Sequence, residues 1–226
     1  LMREKDTKLK NNRFCVDVEK LKRAGAMAQF FACFIYMDAI TGEGRYDKGY
    51  QLALDMIARA KKEFAECAKD IELACSFDDM IQNDTTEKIS AFLTVEEGGI
   101  LGDDINRLQT LYDEGIRLIT LTWNHENCIG YPNSKDEAIM QKGLKPFGIE
   151  VIEKMNELGM IIDVSHLSDG GFWDVLKHSK KPVVASHSNA RSLCEHPRNL
   201  SDEMIKALAE QGGIAGVNLY PYFIKK

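Results

Sequence analysis

Short apolar segments alternate with amphipathic segments along this chain, and this alternation constrains the fold more than any other feature. Near-continuous runs of Val, Ile and Leu are typical of strands that are covered on both faces, as in parallel sheets flanked by helices. Six segments have this character: residues 25–36, 88–96, 116–123, 161–166, 182–188 and 213–220. They predict an α/β fold with a parallel sheet or a (β/α)8 barrel of the TIM type.

Helices are predicted between these strands from apolar residues spaced three and four positions apart and from local stop signals. One predicted helix is opened by TGEGRYDKGY and has apolar residues at Leu52, Met56, Ile57, Ala60 and Phe64. The others span residues 103–115, 145–159, 172–179 and 201–213. Gly115 and Gly159 are predicted to end two of them, and Ser201 is predicted to cap the last. About six of the eight strand-helix units of a barrel are found, so we predict a single, incomplete barrel domain over residues 1–226.

Composition restricts the class of protein. The chain has 226 residues, 44% of them hydrophobic, and a net charge of -6, which argues against a nucleic-acid-binding surface. It contains no apolar run of about 20 residues that would span a membrane, and no secretion signal is recognised at its start. Its six cysteines include no CxxC pair, which indicates reduced thiols. We therefore expect a soluble cytoplasmic protein that binds neither nucleic acid nor membrane.

Three of the predicted strands end on side chains that bind metals. IIDVSH ends at His166, VVASHS contains His187, and AFLTVEEGG ends on Glu96 and Glu97. The carboxyl ends of parallel strands meet on one face, and two imidazoles with a carboxylate are ligands of hydrolytic zinc sites. Strict alternation along each strand would direct Glu96, His166 and His187 inward and Glu97 away. The alternatives are histidines that only form hydrogen bonds and a solvated turn at the two glutamates.

Four motifs in order, LTVEEGG, LITLTWN, IIDVSH and VVASHSNAR, resemble the membrane dipeptidase (renal dipeptidase) family of zinc metallopeptidases, over about residues 16–223. The resemblance implies a (β/α)8 barrel with two zinc ions that hydrolyses dipeptides bearing a free C-terminal carboxylate, with a metal-bridging water. It implies that Glu96 is the catalytic carboxylate bridging both metals and that His166 and His187 bind the second metal. The resemblance also implies that Arg198 binds the substrate carboxylate and that the substrate pocket is lined by Trp123, Asn218 and Tyr220.

The chain also departs from the family pattern. The HxD pair that binds the first zinc does not occur in the sequence, and the family aspartate of the eighth strand has no counterpart. Trp123 stands where the family often has a histidine, and His125 is the candidate to replace that histidine. We therefore expect a barrel without its first and last strands, with one zinc or none in place of two, and a homodimer formed through the open edges.

Two functions from different classes follow from these observations. The first is a zinc-dependent dipeptidase, and the alternative is a catalytically inactive remnant of the family that acts as a binding or assembly module. A third class, other metal-dependent hydrolases of the same barrel type, is disfavoured because no lysine at a strand end could carry a bridging carbamate. The zinc content separates the first two, since about two ions per chain favour the enzyme and one or none favours the remnant.

Overall fold

Seven parallel strands form one sheet in the computed structural model, which describes residues 7–225. The strand order is β1-β3-β4-β5-β6-β7, and β2 pairs with the first residues of β3. The strands are β1 (Ala28–Phe34), β2 (Ile71–Leu73), β3 (Ile89–Glu96), β4 (Ile116–Thr120), β5 (Ile161–Asp163), β6 (Val184–Ala185) and β7 (Ile214–Ala215). Helices connect the strands, so the predicted incomplete barrel of α/β class is confirmed.

Eight helices accompany the sheet within the described residues. They are α1 (Val18–Arg23), α2 (Arg45–Glu66), α3 (Phe77–Thr85), α4 (Asn106–Asp113), α5 (Glu137–Met140), α6 (Pro146–Leu158), α7 (Asp169–His178) and α8 (Asp202–Glu210). Two predicted helix ends are confirmed. Gly159 follows α6 with a φ of 73°, which glycine adopts without a steric penalty, and the Ser201 hydroxyl accepts a hydrogen bond from the Met204 N–H at the start of α8.

The apolar core lies along both faces of the sheet, as expected for a parallel sheet flanked by helices. Nearly every residue of β3 is buried, and Leu93 and Ile119 from neighbouring strands are almost fully excluded from solvent. Phe172 of α7 is the largest fully buried side chain. All six cysteines are free thiols, as their spacing predicted. No helix among residues 7–225 is both long and apolar enough to cross a bilayer.

Four elements were not predicted from the sequence: β2, α1, α3 and α5. Strand β2 has three residues, which is too short to show a period, and it exists because it pairs with β3. Helix α3 has the sequence FDDMIQNDT, which is rich in poor helix formers. Its start depends on Ser76, whose hydroxyl accepts a hydrogen bond from the Asp79 N–H. Short elements of this kind form through tertiary contacts and caps more than through propensity.

The predicted strands at 161–166, 182–188 and 213–220 are too long. The observed strands stop at Asp163, Ala185 and Ala215. Beyond β5 and β6, the N–H groups of Ser165 and Ser186 donate to the Asp163 carboxylate instead of continuing the ladder. The histidines that follow therefore lie on loops, and the prediction that strand alternation orients them was wrong.

The sheet is open within residues 7–225, because β1 and β7 are its two end strands and do not pair with each other. β1 pairs in register with β3, so that Phe34 lies opposite Glu96. Glu96 in turn lies opposite Thr120 of β4, and Thr120 lies opposite Asp163 of β5. The carboxyl ends of β3, β4 and β5 therefore carry a row of polar side chains, with Phe34 of β1 at its border, and the candidate site is built at this row.

Candidate metal centre

Glu96, His166 and His187 meet above this layer at the carboxyl ends of β3, β5 and β6. The two Nε2 atoms of the histidines are 2.9 Å apart, and Glu96 Oε1 lies 3.5 Å from His166 Nε2 and 3.7 Å from His187 Nε2. Zinc ligands at about 2.0–2.2 Å around one tetrahedral ion lie about 3.3–3.6 Å from one another. Glu96 Oε1 lies at about this spacing from both histidine nitrogens. The two Nε2 atoms are closer together than ligands of one ion, so they would have to separate by a few tenths of an ångström for the three side chains to share a metal.

The two adjacent glutamates have different surroundings. Glu96 ends β3 and is partly buried beside the two histidines. Glu97 is buried in a turn with a φ of 105°, and its Oε1 accepts hydrogen bonds from the Gly99 N–H (2.8 Å) and from Asn127 Nδ2 (2.7 Å). Glu97 thus holds the turn that follows β3, and Glu96 is the carboxylate that faces the histidines.

The ring of His166 is oriented by its second nitrogen. Nδ1 lies 3.0 Å from the Asn124 side-chain oxygen, which can only accept a hydrogen bond, so Nδ1 carries the proton and Nε2 has a free lone pair. His187 Nε2 faces this lone pair at 2.9 Å. A cation close to both nitrogens would be attracted by the lone pairs and by the Glu96 carboxylate. The donor set therefore fits a zinc ion, which binds imidazole nitrogen and carboxylate oxygen.

Burial sets the charge of the site. Burial, together with the nearby charge of Arg198, lowers the pKa of His166 to about 2. The pKa of His187 is also lowered by burial. Burial and the nearby Asp163, partly opposed by Arg198, raise the pKa of Glu96 to about 7. Both imidazoles are therefore neutral near pH 7, which is the form that binds metals.

A cavity of about 620 Å³ opens beside His166. The four residues that the sequence placed at the substrate all line it, namely Trp123, Arg198, Asn218 and Tyr220. Arg198 is almost fully buried, with Nη2 donating to the His187 carbonyl (3.0 Å). Arg198 Nε and Asn133 Nδ2 are buried donor atoms without a hydrogen-bond partner within residues 7–225. The cavity thus contains a buried cation and two donors that a bound anion could satisfy.

A family model for membrane dipeptidases (Peptidase family M19) matches residues 1–226. The chain belongs to this family. Among its curated relatives, an uncharacterised dipeptidase of Schizosaccharomyces pombe is 32% identical over 220 residues, covering 93% of this chain and 52% of that protein. Mouse dipeptidase 3 is 31% identical over 218 residues, covering 95% of this chain and 42% of that protein. The chain therefore spans about half the length of these membrane dipeptidase relatives.

Solved structures share the fold of this membrane dipeptidase family member. A probable dipeptidase, PvdM, from Pseudomonas aeruginosa has a TM-score of 0.86 at 24% identity, covering 98% of this chain and 56% of that one. A metallopeptidase from Rhodobacter sphaeroides, solved with a phosphinate mimic of the dipeptide L-Ala-D-Ala, has a TM-score of 0.85 at 21% identity. The comparison covers 96% of this chain and 69% of that one. At these identities, the likeness establishes the fold alone.

His125 does not line the cavity, although the sequence made it the candidate to replace the family histidine at Trp123. Its Nε2 lies 2.5 Å from Asp38 Oδ2, outside the group that faces the metal site. Trp123 itself contacts Phe34, with ring centroids 5.0 Å apart, and lies 6.2 Å from the ring of His166. At this position the chain therefore presents the aromatic ring of Trp123 to the cavity in place of a histidine.

Asp163, Ser186, Asn124 and Asn133 were not predicted from the sequence, although all of them lie at the site. Asp163 is fully buried and accepts hydrogen bonds from the segments that precede both histidines. One signal was present, because Asp163 is the only charged residue in the otherwise apolar run that begins IIDV. The other three residues lie in loops, where spacing carries no information about distance.

The two adjacent glutamates predict different effects of mutation. Glu97→Ala is expected to lower the free energy of unfolding by about 1–3 kcal/mol, because the Gly99 N–H and Asn127 lose a buried acceptor. Zinc affinity should be retained. Glu96→Gln should lower zinc affinity with little change in stability. Urea denaturation and zinc titration measure the two effects, and weaker zinc binding in Glu97→Ala alone would reverse the assignment.

Proposed function

We propose that this protein is a zinc-dependent dipeptidase that hydrolyses dipeptides with a free C-terminal carboxylate. The observation that carries the proposal is the convergence of Glu96, His166 and His187 beside a cavity that contains the buried guanidinium of Arg198. Membership of the membrane dipeptidase family supports the substrate class. A metal site and a buried guanidinium in the same cavity suit a short peptide, because the metal can act on the peptide bond while Arg198 binds the free C-terminal carboxylate.

Glu96, His166 and His187 would hold the metal through one carboxylate oxygen and two Nε2 atoms. Bound zinc supplies Lewis acidity and activates water for attack on a peptide carbonyl. The chain contributes neutral imidazoles and a carboxylate that are oriented before the metal binds, since His166 is held by Asn124 and Glu96 ends a regular strand. Such preorganisation lowers the cost of ordering the ligands when the ion is bound.

Arg198 would bind the substrate carboxylate. A guanidinium matches a carboxylate with two parallel hydrogen bonds, and the unpaired Nε of Arg198 and Nδ2 of Asn133 are donors available to it. Arg198 also donates to the carbonyl of His187, which couples the carboxylate receptor to a metal ligand. The distance between the substrate terminus and the metal is thereby set by two adjacent segments, so that the scissile bond of a dipeptide is positioned near the ion.

The remaining cavity wall is held by the last segment of the described chain. The Asn218 N–H donates to Asn189 Oδ1 (2.8 Å), and the Tyr220 N–H donates to Asn218 Oδ1 (2.8 Å). Tyr220 and Trp123 both line the cavity. The two aromatic rings would contact the side chains of the dipeptide and shield part of the site from water.

Removal and return of the metal test this proposal. Hydrolysis of a dipeptide is expected to stop after treatment with a chelator and to recover when zinc is added back, because the chain's own side chains replace neither the Lewis acid nor the activated water. Zinc content is measured in parallel. A zinc-loaded protein that hydrolyses no dipeptide would contradict the proposal and favour the alternative, a binding or assembly module.

The predicted homodimer and the cytoplasmic location stay predictions. The homodimer rests on β1 and β7, whose outer edges are unpaired within the described part of the chain. Unpaired strand edges are templates for pairing with another strand. Residues on the last described segment, such as Val217 and Leu219, are also strongly exposed.

A further inference from the structure

Asp163 is a fully buried side chain beneath the metal site, and its carboxyl group accepts four hydrogen bonds within the described residues. Its Oδ1 accepts from the N–H groups of Ser165 (3.0 Å) and Ser186 (2.9 Å). Its Oδ2 accepts from the hydroxyls of Thr120 (2.7 Å) and Ser186 (2.6 Å). The two N–H groups can only donate, so the Asp163 carboxyl group serves as the acceptor at the centre of this cluster.

The hydroxyl of Ser186 therefore has its single proton committed to Asp163. The same oxygen lies 2.7 Å from His187 Nδ1, and it can only accept a hydrogen bond there. Ser165 completes the network, because its hydroxyl accepts from the His187 N–H (3.0 Å) and donates to Ser186 (3.3 Å). The direction of every proton in this cluster is determined, and His187 carries its proton on Nδ1.

We propose that Asp163, acting through the Ser186 hydroxyl, is a positioning residue that holds the proton of His187 on Nδ1 and leaves Nε2 free to bind the metal. This inference rests on the proposed metal site. It goes beyond that proposal by assigning a role to two residues that are not ligands and do not touch substrate. An outer carboxylate that orients a ligand histidine through its second nitrogen also increases the basicity of the ligand.

The two histidines are held differently. His166 is oriented by the amide of Asn124, which is exposed to solvent, whereas His187 is oriented by a hydroxyl that itself donates to the buried carboxyl group of Asp163. Hydrogen bonds that form a chain polarise and strengthen one another. His187 is thus expected to be the more firmly oriented of the two ligands.

Ser186 is the residue to test, because it is exposed, whereas Asp163 joins the ends of three strands and its removal would disturb the fold. Ser186→Ala removes the acceptor for His187 Nδ1 but keeps the backbone bond to Asp163. Ser186→Thr retains the hydroxyl and serves as the conservative variant. Ser165→Ala is the matched control, because Ser165 touches the backbone of His187 but not its ring.

Two measurements on the chain are informative. The ¹⁵N chemical shifts of the His187 ring in the metal-free protein report which nitrogen carries the proton, with the signal assigned from a His187→Asn variant. Competition with a chelator gives the affinity for zinc. We expect the Nδ1-protonated form in the wild type, a loss of this preference in Ser186→Ala, and zinc binding weakened by about 10- to 100-fold. Ser186→Thr should restore both, and Ser165→Ala should resemble the wild type.

Three results would overturn the inference: a wild-type His187 protonated on Nε2, wild-type zinc affinity in Ser186→Ala, or equal weakening in Ser186→Ala and Ser165→Ala. The last result would mean that the serines only support the loop. A wild-type chain that has the Nδ1 proton but binds no zinc would support the proton placement and refute the proposed function. These measurements therefore distinguish a failure of the inferred proton placement from a failure of the proposed function.

Discussion

Replacing His166 with asparagine is expected to abolish metal-dependent dipeptide hydrolysis while the chain still folds. The change removes the Nε2 ligand that lies 2.9 Å from His187 Nε2 and 3.5 Å from Glu96. His166 has a φ of 70°, and asparagine tolerates this left-handed conformation better than alanine does, so the loop is preserved. A metal ion contributes several kcal/mol of transition-state stabilisation, and about 4 kcal/mol corresponds to a loss of about 10³-fold in rate.

The control for this variant is His178→Asn. His178 is the last residue of α7, and it belongs neither to the cavity lining nor to the group that could hold a metal. Rates of dipeptide hydrolysis and zinc content are measured for both variants. His178→Asn should behave like the wild type. If His166→Asn retained more than roughly a tenth of the wild-type rate, the loss would be under 1.4 kcal/mol, too little for a metal ligand.

Arg198→Met is expected to have the second largest effect, a selective loss of activity on dipeptides with a free carboxylate. Arg198 is nearly fully buried, and truncating one partner of a buried charge pair costs about 2–5 kcal/mol. That range corresponds to a fall in kcat/KM of about 30-fold to several thousand-fold. Methionine keeps much of the volume of arginine but removes the charge. Arg198→Lys keeps the charge but loses the two parallel hydrogen bonds, so the activity of this variant should lie between those of the wild type and Arg198→Met.

The measurement compares a dipeptide with its C-terminal amide. The wild type should discriminate strongly against the amide, because Arg198 then meets a neutral group, and Arg198→Met should hydrolyse the two substrates at similar rates. Zinc affinity should not fall, since Arg198 bonds His187 at its carbonyl oxygen and not at its ring, and the loss of a positive charge near the ligands does not oppose the binding of a cation. An equal fall on both substrates would instead indicate that Arg198 supports the loop of His187 and does not bind the carboxylate.

Much of the fold could be predicted from sequence because its main elements are long and periodic. Strands β1, β3 and β4 and helices α2, α4, α6 and α8 all lie within segments whose apolar spacing is unambiguous. The missed elements are short, and the ends of the predicted strands were wrong where a buried side chain competes with the ladder. The N–H groups of Ser165 and Ser186 donate to the Asp163 side chain and are therefore not available to a neighbouring strand. A local pattern of hydrophobicity does not predict these hydrogen bonds.

The candidate site shows the same division. Glu96, His166 and His187 could be selected from sequence because each follows an apolar run, and the ends of parallel strands converge. The orientation of the histidines could not be derived in the same way, since both lie on loops and His166 has a left-handed backbone. Asn124 and Asn133 come from a loop distant in sequence from both histidines, and only the folded chain brings them to the cavity.

The amino-acid sequence by itself determined the class of fold, the family and the three side chains that could bind a metal, because these depend on periodicity and on the order of short motifs. Tertiary structure alone decided where the strands end, which groups hold Glu97 and which nitrogen of each ring is free. These properties depend on hydrogen bonds between residues far apart in the sequence, such as Asp163 with Ser186, 23 positions away, and Asn124 with His166, 42 positions away. Local sequence patterns do not encode partners at that distance.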